Sequence, residues 1–376
     1  MKRLLCLMIC AVCILFSDTL SCDAASPQVP VSAKAYIVMD AASRSVIYEG
    51  NGYVQLPMAS TTKIMSALLC LESGDLDREF VVDSEAIMAE GSSMGLLPGD
   101  TVTKRALCYG MLLPSGNDAA GAAAVEIAGS YGAFADMMNA RAAEIGMENT
   151  HFVTPSGLHD DQHYSTAYDM ALLTAEALRN PEFCKICSQS KAKVTFGNPP
   201  YDRWLYNTNK LLNMYEGVTG VKTGFTDEAG RCLVSSCTRN GITLICITLN
   251  DRNDWNDHIT LYEAAFACTE VKEAYIPDTL HLPVAGGEKD TVRLCADKSV
   301  LYGVCSGSET EVIWDVEAAP FLYAPVRNGD AAGYLVHYCN GFEVARQPLY
   351  ICEDVSYAEC EKGFWEKIKD FITGSA

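Results

Sequence analysis

Ser60 and Lys63 are a pair of residues with the types and spacing for nucleophilic chemistry. Because they stand three positions apart, a helix would place both side chains on one face. A lysine amine whose pKa is lowered by burial or by a neighbouring cation can accept the proton of a serine hydroxyl. Backbone N–H groups at the start of such a helix would add positive potential near the serine. The pair therefore predicts a serine nucleophile with a lysine base, although an ordinary helix N-cap has the same appearance.

A second pair, Ser188 and Lys191, has the same spacing, so spacing alone does not select Ser60. The context differs between the two pairs. Ser60 opens a segment whose apolar residues recur at near-helical spacing, which predicts a buried helix. Ser188 lies in a polar stretch with Lys191 and Lys193, which we interpret as a solvated loop. We therefore predict Ser60 as the nucleophile.

Two further motifs could complete such a site. Ser115 and Asn117 precede an alanine-rich segment, where a hydroxyl could relay a proton and an amide could position substrate and lysine. Lys222 and Gly224 lie in a strand-like alternation, where the lysine would attract an anionic group and the glycine would let a ligand approach the backbone. Taken separately, the first motif is equally typical of a turn and helix cap, and the second of an edge strand protected by a lysine.

Several other kinds of catalytic site lack their residues in this chain. The six histidines include no His-Glu-x-x-His pair, and neither a Gly-x-Ser-x-Gly elbow before a helix nor a P-loop lysine motif occurs. Cys184 and Cys187 form an isolated Cys-x-x-Cys without two further ligands at zinc spacing. We therefore expect neither a metal nor a cofactor.

The bulk composition limits the possible partners. Hydrophobic residues make up 49% of the 376 residues and charged residues 20%, which is typical of a globular chain. The formal net charge is -20, and so acidic a surface would repel phosphate backbones. We therefore expect no binding to nucleic acid. The 17 cysteines are scattered and odd in number, which is a poor disulfide framework.

The elements that must position these motifs indicate an α+β fold with one antiparallel sheet. Residues 33–51 have the pattern of a hairpin, and Asn240-Gly241 between two apolar runs is a strong hairpin signal. Helices are predicted over residues 119–128, 134–145, 169–178 and 255–268. The order of strands, helices, strands and a helix favours this fold class.

Composition divides the chain into four predicted segments. These are a signal peptide over residues 1–25, a catalytic domain over 26–272, a small β-rich domain over 273–355 and an amphipathic C-terminal helix over 356–376. The first segment has two basic residues, an apolar run that is short for a bilayer span, and then small residues. A retained anchor and a lipoprotein attached at Cys22 are the alternatives.

The predicted C-terminal helix has an apolar face that contains Phe364, Trp365, Ile368 and Phe371. This face predicts peripheral contact with a membrane. Its lysines are balanced by acidic residues, so the attraction to anionic lipid would be weak. Packing on the β-rich domain or on a partner chain is the alternative.

Together, the three motifs form the signature of serine penicillin-recognising enzymes. Ser-x-x-Lys, Ser-x-Asn and Lys-Thr-Gly occur in that order, at a helix start, a helix start and a strand. Over residues 33–355 the sequence resembles the low-molecular-mass D-alanyl-D-alanine carboxypeptidases, peptidase family S11. Segments 163–170 (HYSTAYDM) and 207–212 (NTNKLL) also resemble parts of that family. A middle motif of Ser-Gly-Asn suits this family, whereas class A β-lactamases usually have Ser-Asp-Asn.

The resemblance implies a β-lactamase/transpeptidase-like catalytic domain, with an antiparallel sheet and a helical cluster, followed by a small β domain. It also implies catalytic roles. Ser60, activated by Lys63, would attack the carbonyl between two D-alanines of a peptidoglycan stem peptide. Ser115 would relay a proton to the leaving D-alanine, and Asn117 would position substrate and lysine.

The implied substrate-binding residues are Lys222, Thr223, Gly224, Phe225 and Arg252. The backbone N–H groups of Ser60 and Phe225 would form an oxyanion hole. The free carboxylate of the substrate would meet Lys222, Thr223 or Arg252.

The resemblance further implies an exported enzyme at the extracytoplasmic face of the cell membrane or in the cell wall. Its partners would be peptidoglycan stem peptides as substrates and β-lactams as inhibitors that acylate Ser60 and leave slowly. A D,D-endopeptidase or a β-lactamase-like hydrolase would use the same residues. A non-catalytic wall-binding protein is a third hypothesis, against which the three intact motifs argue.

Overall fold

The computed structural model describes residues 29–274, 276–277, 280–296, 300–307, 312–339 and 341–358. The predicted signal peptide, residues 1–25, lies outside the described residues. Of the predicted C-terminal helix only residues 356–358 are described, and Tyr357 there forms a β-bridge with Gly287. Both predictions therefore stay open. No helix among the described residues is long and apolar enough to cross a membrane.

The strands of the described chain are β1 (Ala35–Asp40), β2 (Val46–Gly50), β3 (Glu79–Val81), β4 (Thr101–Thr103), β5 (Lys191–Gly197), β6 (Pro200–Tyr206), β7 (Val218–Thr226), β8 (Gly230–Arg239), β9 (Ile242–Leu249), β10 (Thr269–Glu273), β11 (His281–Ala285), β12 (Thr291–Ala296), β13 (Leu301–Cys305), β14 (Val312–Ala318), β15 (Leu322–Tyr323), β16 (Ala331–Cys339) and β17 (Phe342–Ile351). The helices are α1 (Lys63–Glu72), α2 (Lys104–Leu112), α3 (Asn117–Ala128), α4 (Tyr131–Ile145), α5 (Ala167–Ala177), α6 (Pro181–Cys187), α7 (Leu211–Met214) and α8 (Asp254–Cys268). The α+β prediction is confirmed.

A five-stranded antiparallel sheet in the order β2-β1-β9-β8-β7 is the centre of the catalytic domain. Strands β1 and β9 read as almost continuous apolar runs and are buried along nearly their whole length. Alternate residues of β9 face different helices. Thr248 bonds to His258 of α8, whereas Ile247 belongs to the core cluster that also contains residues of α1 and α5. Helices thus cover both faces of the sheet, which explains the unbroken apolar pattern.

Both predicted hairpins are confirmed. Asn240 and Gly241 join β8 to β9 with φ values of 54° and 82°, the left-handed pair that a two-residue type I′ turn requires. Strands β1 and β2 pair antiparallel around residues 41–45, with the return strand beginning at Val46.

Helix α1 is buried on all sides. Residues 63–71 are all buried, because α1 packs against α2, α3 and α5 as well as the turn that precedes it. A helix that is apolar all round is typical of the interior of a large domain. Lys63, its first residue, is therefore enclosed with the apolar residues that follow.

The prediction of a single sheet in the catalytic domain is wrong. A second antiparallel sheet has the order β3-β4-β5-β6. Its strand β5 is the polar stretch after Ser188 that the sequence suggested as a loop. Ala192, Val194 and Phe196 are buried, while Lys191, Lys193 and Thr195 are exposed. The polar residues between the apolar ones hid this period of two.

The C-terminal β domain contains a six-stranded sheet in the order β14-β16-β17-β12-β11-β15. Its own core cluster includes Val292, Leu335 and Leu349, all fully buried. Cys295 of β12 and Cys352, just after β17, form a disulfide, so the expectation of a poor disulfide framework misses this pair. The ten other cysteines of the described residues do not form disulfides. Ser43 of the catalytic domain donates to Gly303 O of β13 at 2.6 Å.

Candidate active site

Ser60 lies in a short 3-10 turn, Ala59–Thr62, which leads directly into α1 at Lys63. Ala59 has a φ of 49°, a left-handed conformation that is uncommon for a residue with a Cβ atom. The turn is held from within, because Thr62 Oγ1 donates a hydrogen bond to Ala59 O at 2.8 Å. Ser60 lines a cleft at the surface of the catalytic domain.

The amine of Lys63 contacts three oxygens in a completely buried position. Its Nζ lies 2.9 Å from Ser60 Oγ, 2.6 Å from Asn117 Oδ1 and 2.7 Å from the backbone oxygen of Ser156. Amide and carbonyl oxygens can only accept hydrogen bonds. A neutral amine has two N–H groups and one lone pair, so the two hydrogens go to Asn117 and Ser156. The lone pair is then directed at the Ser60 hydroxyl, in the arrangement of a base and a nucleophile.

The surroundings of Lys63 favour this neutral form. Burial lowers the pKa of Lys63 well below its ordinary value of 10.5, and the positive charge of Lys222 lowers the pKa further, against an opposing effect of Asp118. Lys222 is itself 1% exposed, and burial lowers its pKa to about 7. The burial of Lys63 and the charge of Lys222 thus both make protonation of Lys63 unfavourable.

The Ser-Gly-Asn motif brings Ser115 and Asn117 to the same cleft. Ser115 has a φ of 66°, and Asn117 is the first residue of α3. The Asn117 amide bridges two parts of the site. Its Oδ1 accepts from Lys63, and its Nδ2 donates to Glu90 O at 2.5 Å. One side chain therefore orients the amine of Lys63 and also fixes the loop that forms a wall of the cleft.

Asp118 fixes the same loop from the next position. Its carboxylate, 2% exposed, accepts hydrogen bonds from the backbone N–H groups of Met94, Gly95 and Leu96. It also accepts one from Ser93 Oγ at 2.6 Å. A buried carboxylate is tolerated here because several donors satisfy it. Loop 90–96 is thus fastened to the start of α3.

Strand β7 carries the Lys-Thr-Gly motif along the edge of the five-stranded sheet. Thr223 Oγ1 lies 2.7 Å from Thr208 Oγ1, and both residues line the cleft. A Cβ atom added to Gly224 would lie 3.1 Å from Ser60 N and 3.0 Å from Met58 O. Strand β7 and the nucleophile turn, the turn Ala59–Thr62 that carries the predicted nucleophile Ser60, therefore meet backbone to backbone, which a side chain at residue 224 would hinder.

The cleft has a volume of about 580 Å³. Its lining includes Ser60, Ser115, Asn117, Thr223 and Gly224 from the three motifs. Phe225, Arg231, Asp254, Trp255 and Lys210 also line it. Phe225 is 62% exposed.

Among the described residues that line this cleft the arginine is Arg231, whereas the prediction had selected Arg252. Arg231 donates to Asp254 through Nε at 3.1 Å and through one terminal nitrogen at 2.6 Å, and its guanidinium lies 5.6 Å from the Trp255 ring centroid. Arg252 is exposed and is not among the described residues that line the cleft. Asp251 before it is turned inward, where it accepts from Ser32 Oγ at 2.6 Å.

Comparison with known families decides the kind of enzyme. A family model for D-alanyl-D-alanine carboxypeptidase matches residues 22–253, and a model for the C-terminal domain of penicillin-binding protein 5 matches residues 277–357. The chain belongs to the D-alanyl-D-alanine carboxypeptidase family. It is a serine-type D-Ala-D-Ala carboxypeptidase of the penicillin-binding class, as the sequence motifs predicted. Peptidoglycan stem peptides as substrates and β-lactams as ligands fit this family.

Relatives match the carboxypeptidase along most of its length. It is 30% identical over 354 residues to D-alanyl-D-alanine carboxypeptidase DacF of Bacillus subtilis, covering 90% of this chain and 91% of the relative. It is 32% identical over 363 residues to DacC of Escherichia coli, with 91% and 88% covered. The crystal structure of penicillin-binding protein 5 from Haemophilus influenzae has a TM-score of 0.63 and 28% identity, covering 87% of this chain and 98% of that one.

Sequence reasoning missed the parts of the carboxypeptidase site that come from separate segments or from the backbone. The Ser156 carbonyl has no side-chain signature. The Arg231–Asp254 pair joins the start of β8 to the start of α8, and no local pattern links the two. For Asp118, the only signal in the sequence was its position directly after the Ser-Gly-Asn motif.

We expect the pH dependence of acylation in this carboxypeptidase to report the pKa of Lys63. The single-turnover rate of acylation by a penicillin rises with pH as Lys63 loses its proton, because only the free amine accepts the serine proton. Lys222→Met removes a positive charge that lowers the Lys63 pKa. The midpoint of this rise therefore moves to higher pH in the variant, and stopped-flow acylation measured at a series of pH values gives the midpoint.

Lys222→Arg is the matched control, because it keeps the positive charge and leaves the midpoint close to that of the wild type. The position of the midpoint, and not the size of the rate, is compared, since both variants change the cleft. An unchanged or lower midpoint in Lys222→Met would contradict the electrostatic coupling of the two lysines.

Proposed function

We propose that this carboxypeptidase removes the terminal D-alanine from peptidoglycan stem peptides through an acyl-enzyme on Ser60. The observation that carries this proposal is the directed lone pair of Lys63. Two oxygens that can only accept take its N–H groups, and Ser60 Oγ is the third neighbour at 2.9 Å. Burial lowers the pKa of this amine well below its ordinary value, which favours the neutral form.

Acylation then follows from the geometry. Lys63 accepts the Ser60 proton while Oγ forms a bond to the carbonyl carbon between the two D-alanines. The carbonyl oxygen becomes an oxyanion, which the N–H groups of Ser60 and Phe225 would stabilise. The close approach of Gly224 to Ser60 N supports this pairing, because residue 225 follows directly on β7.

Collapse of the tetrahedral intermediate breaks the C–N bond. The proton held by Lys63 passes through the Ser115 hydroxyl to the leaving nitrogen, so that D-alanine departs with a neutral amine and its carboxylate, and Lys63 is neutral again. A water molecule then attacks the ester carbonyl and gives its proton to Lys63. The lysine returns that proton to Ser60 Oγ when the ester bond breaks, which restores the starting state.

We assign recognition of the substrate carboxylate to Thr223 and Arg231. A guanidinium has five N–H donors, and the two bonds to Asp254 leave others free to meet a ligand. Asp254 is almost buried and holds the arginine in one orientation at the cleft. Lys222 lies too deep for direct contact and would act through its charge on the acid side of its pKa of about 7.

We also propose that the enzyme works outside the cytoplasmic membrane and contacts its surface through residues 356–376. The apolar face of that segment and the signal-like residues 1–25 support the proposal. β-Lactams would acylate Ser60 in the same way as the substrate. Their leaving group stays tethered to the acyl moiety, so the acyl-enzyme would persist.

The two serine–lysine pairs of the chain supply a matched test of the nucleophile. Labelled penicillin is expected to modify the wild type and Ser188→Ala equally and to leave Ser60→Ala unlabelled. Release of D-alanine from a pentapeptide should fall about 10³-fold or more in Ser60→Ala, because the attacking oxygen is gone. Equal labelling of wild type and Ser60→Ala would contradict the assignment, and cleavage of a cross-linked dimer without D-alanine release would indicate an endopeptidase.

Arg231→Ala should lower kcat/KM for a D-Ala-D-Ala peptide by roughly 10-fold to 100-fold, the loss expected for one charge-assisted hydrogen bond. Arg252→Ala is the control and should stay near wild type. A substrate analogue whose C-terminal carboxylate is amidated should be cleaved equally by wild type and Arg231→Ala, since it lacks the group that the arginine binds. A larger loss in Arg252→Ala would return the role to that residue.

Truncation after residue 358 tests the membrane contact and spares the β-bridge of Tyr357. Binding to vesicles of mixed zwitterionic and anionic lipid should be lost in the truncated enzyme while penicillin labelling is kept. Unchanged vesicle binding would exclude the anchor.

A further inference from the structure

His163 lies beneath the nucleophile turn, outside the cleft, and is 3% exposed. Its Nδ1 accepts hydrogen bonds from the backbone N–H groups of Val153 at 2.9 Å and Thr154 at 3.3 Å. Its Nε2 lies 2.8 Å from Thr62 Oγ1. The ring also packs edge-on against Phe152, with 5.8 Å between the centroids. All the polar atoms of this imidazole are thus bonded inside the domain.

These contacts fix the direction of the hydrogen bonds. An Nδ1 that accepts from two amides has no hydrogen of its own, so the neutral ring has its hydrogen on Nε2. Nε2–H therefore donates to Thr62 Oγ1, and Thr62 Oγ1 donates to Ala59 O at 2.8 Å. Burial lowers the pKa of His163 to about 4, which keeps the ring neutral near physiological pH.

The end of this chain of bonds is the peptide group that joins Ala59 to Ser60. A peptide group is planar, and in the trans form its C=O and N–H point in opposite directions. Holding Ala59 O on one side therefore sets the direction of Ser60 N–H on the other. Ala59 has a φ of 49°, so the turn needs such support to keep this conformation.

Gly157 lies against the same carbonyl of Ala59, from a different part of the chain. A Cβ atom added to Gly157 would lie 1.9 Å from Ala59 O, so only glycine lets the chain pass there. The segment that includes Gly157 also carries Val153 and Thr154, which hold His163, and Ser156, whose carbonyl binds Lys63. The base, the histidine and the strained peptide group thus share one supporting segment.

We propose that His163 is a positioning residue, which acts through Thr62 to hold the Ala59–Ser60 peptide group so that Ser60 N–H is aimed into the oxyanion hole. This inference rests on the proposed acyl-serine function. It predicts a loss in the bond-forming step and not in initial ligand binding, because the Ser60 N–H meets negative charge only as the oxyanion develops.

The test compares two pairs of variants by stopped-flow acylation with a penicillin, which separates the dissociation constant of the encounter complex from the acylation rate constant. Thr62→Val removes the hydroxyl at nearly constant shape and should lower the acylation rate constant roughly 10-fold to 100-fold with an unchanged dissociation constant. Thr62→Ser keeps the hydroxyl and should stay within about threefold of wild type.

His163→Gln and His163→Asn test the two nitrogens of the ring separately. Glutamine places an N–H near the position of Nε2 and can still reach Thr62, whereas asparagine replaces only the Nδ1 acceptor. We expect His163→Gln to be acylated faster than His163→Asn. The opposite order would show that His163 serves only to hold Val153 and Thr154, and would overturn the inference.

The outcomes separate this inference from the proposed function. If the wild type forms no acyl-enzyme, the proposed function itself is wrong. If the wild type acylates and Thr62→Val keeps the same rate constant, only the role of His163 and Thr62 is wrong. Should a histidine variant fail to fold, as judged by its melting temperature, the comparison of Thr62→Val with Thr62→Ser decides alone.

Discussion

The whole site depends on keeping one lysine amine neutral and turned toward one hydroxyl. Burial of Lys63 makes the charged form unfavourable, and the oxygens of Asn117 and Ser156 take both hydrogens of the neutral form. Helix α1 meets this requirement because it encloses Lys63 in the core, and α3 meets it because it begins at Asn117. The second buried lysine contributes as well, since the charge of Lys222 lowers the pKa of Lys63 further.

Such a site lowers the stability of the folded chain. The pKa of Lys222 falls from 10.5 to about 7 on burial, which corresponds to roughly 5 kcal/mol of disfavoured protonation. Because the folded pKa lies below the unfolded one, the unfolded chain binds more protons between these two values. Stability therefore rises with pH across that window and is lowest below about pH 7, as far as Lys222 is concerned. The large apolar core around β1, β9 and α1 offsets this cost.

The sequence revealed those parts of the fold and the site whose signal is local. Ser60 and Lys63 share a helical spacing, and Asn240-Gly241 has turn chemistry that needs no partner. The features that the sequence did not show depend on the tertiary fold. The pairing of Arg231 with Asp254 depends on how β8 meets α8, so the sequence pointed to Arg252 and not to Arg231. Strand β5 was hidden because lysines occupy its solvent face and interrupt the alternation of its buried residues.

The parts of the site that are hardest to predict from sequence are backbone groups, and they bear directly on the chemistry. The carbonyl of Ser156 holds the base, and the N–H of Ser60 would hold the oxyanion. The carbonyl of Ala59 links that N–H, through Thr62, to His163. Sequence shows such groups only through residues that make room for them. Gly157 and Gly224 are both of this kind, since an added Cβ atom would meet Ala59 O in one case and Ser60 N in the other. The nucleophile turn is thus enclosed between two glycines, and the short catalytic motifs depend on surroundings whose main contribution is to leave space.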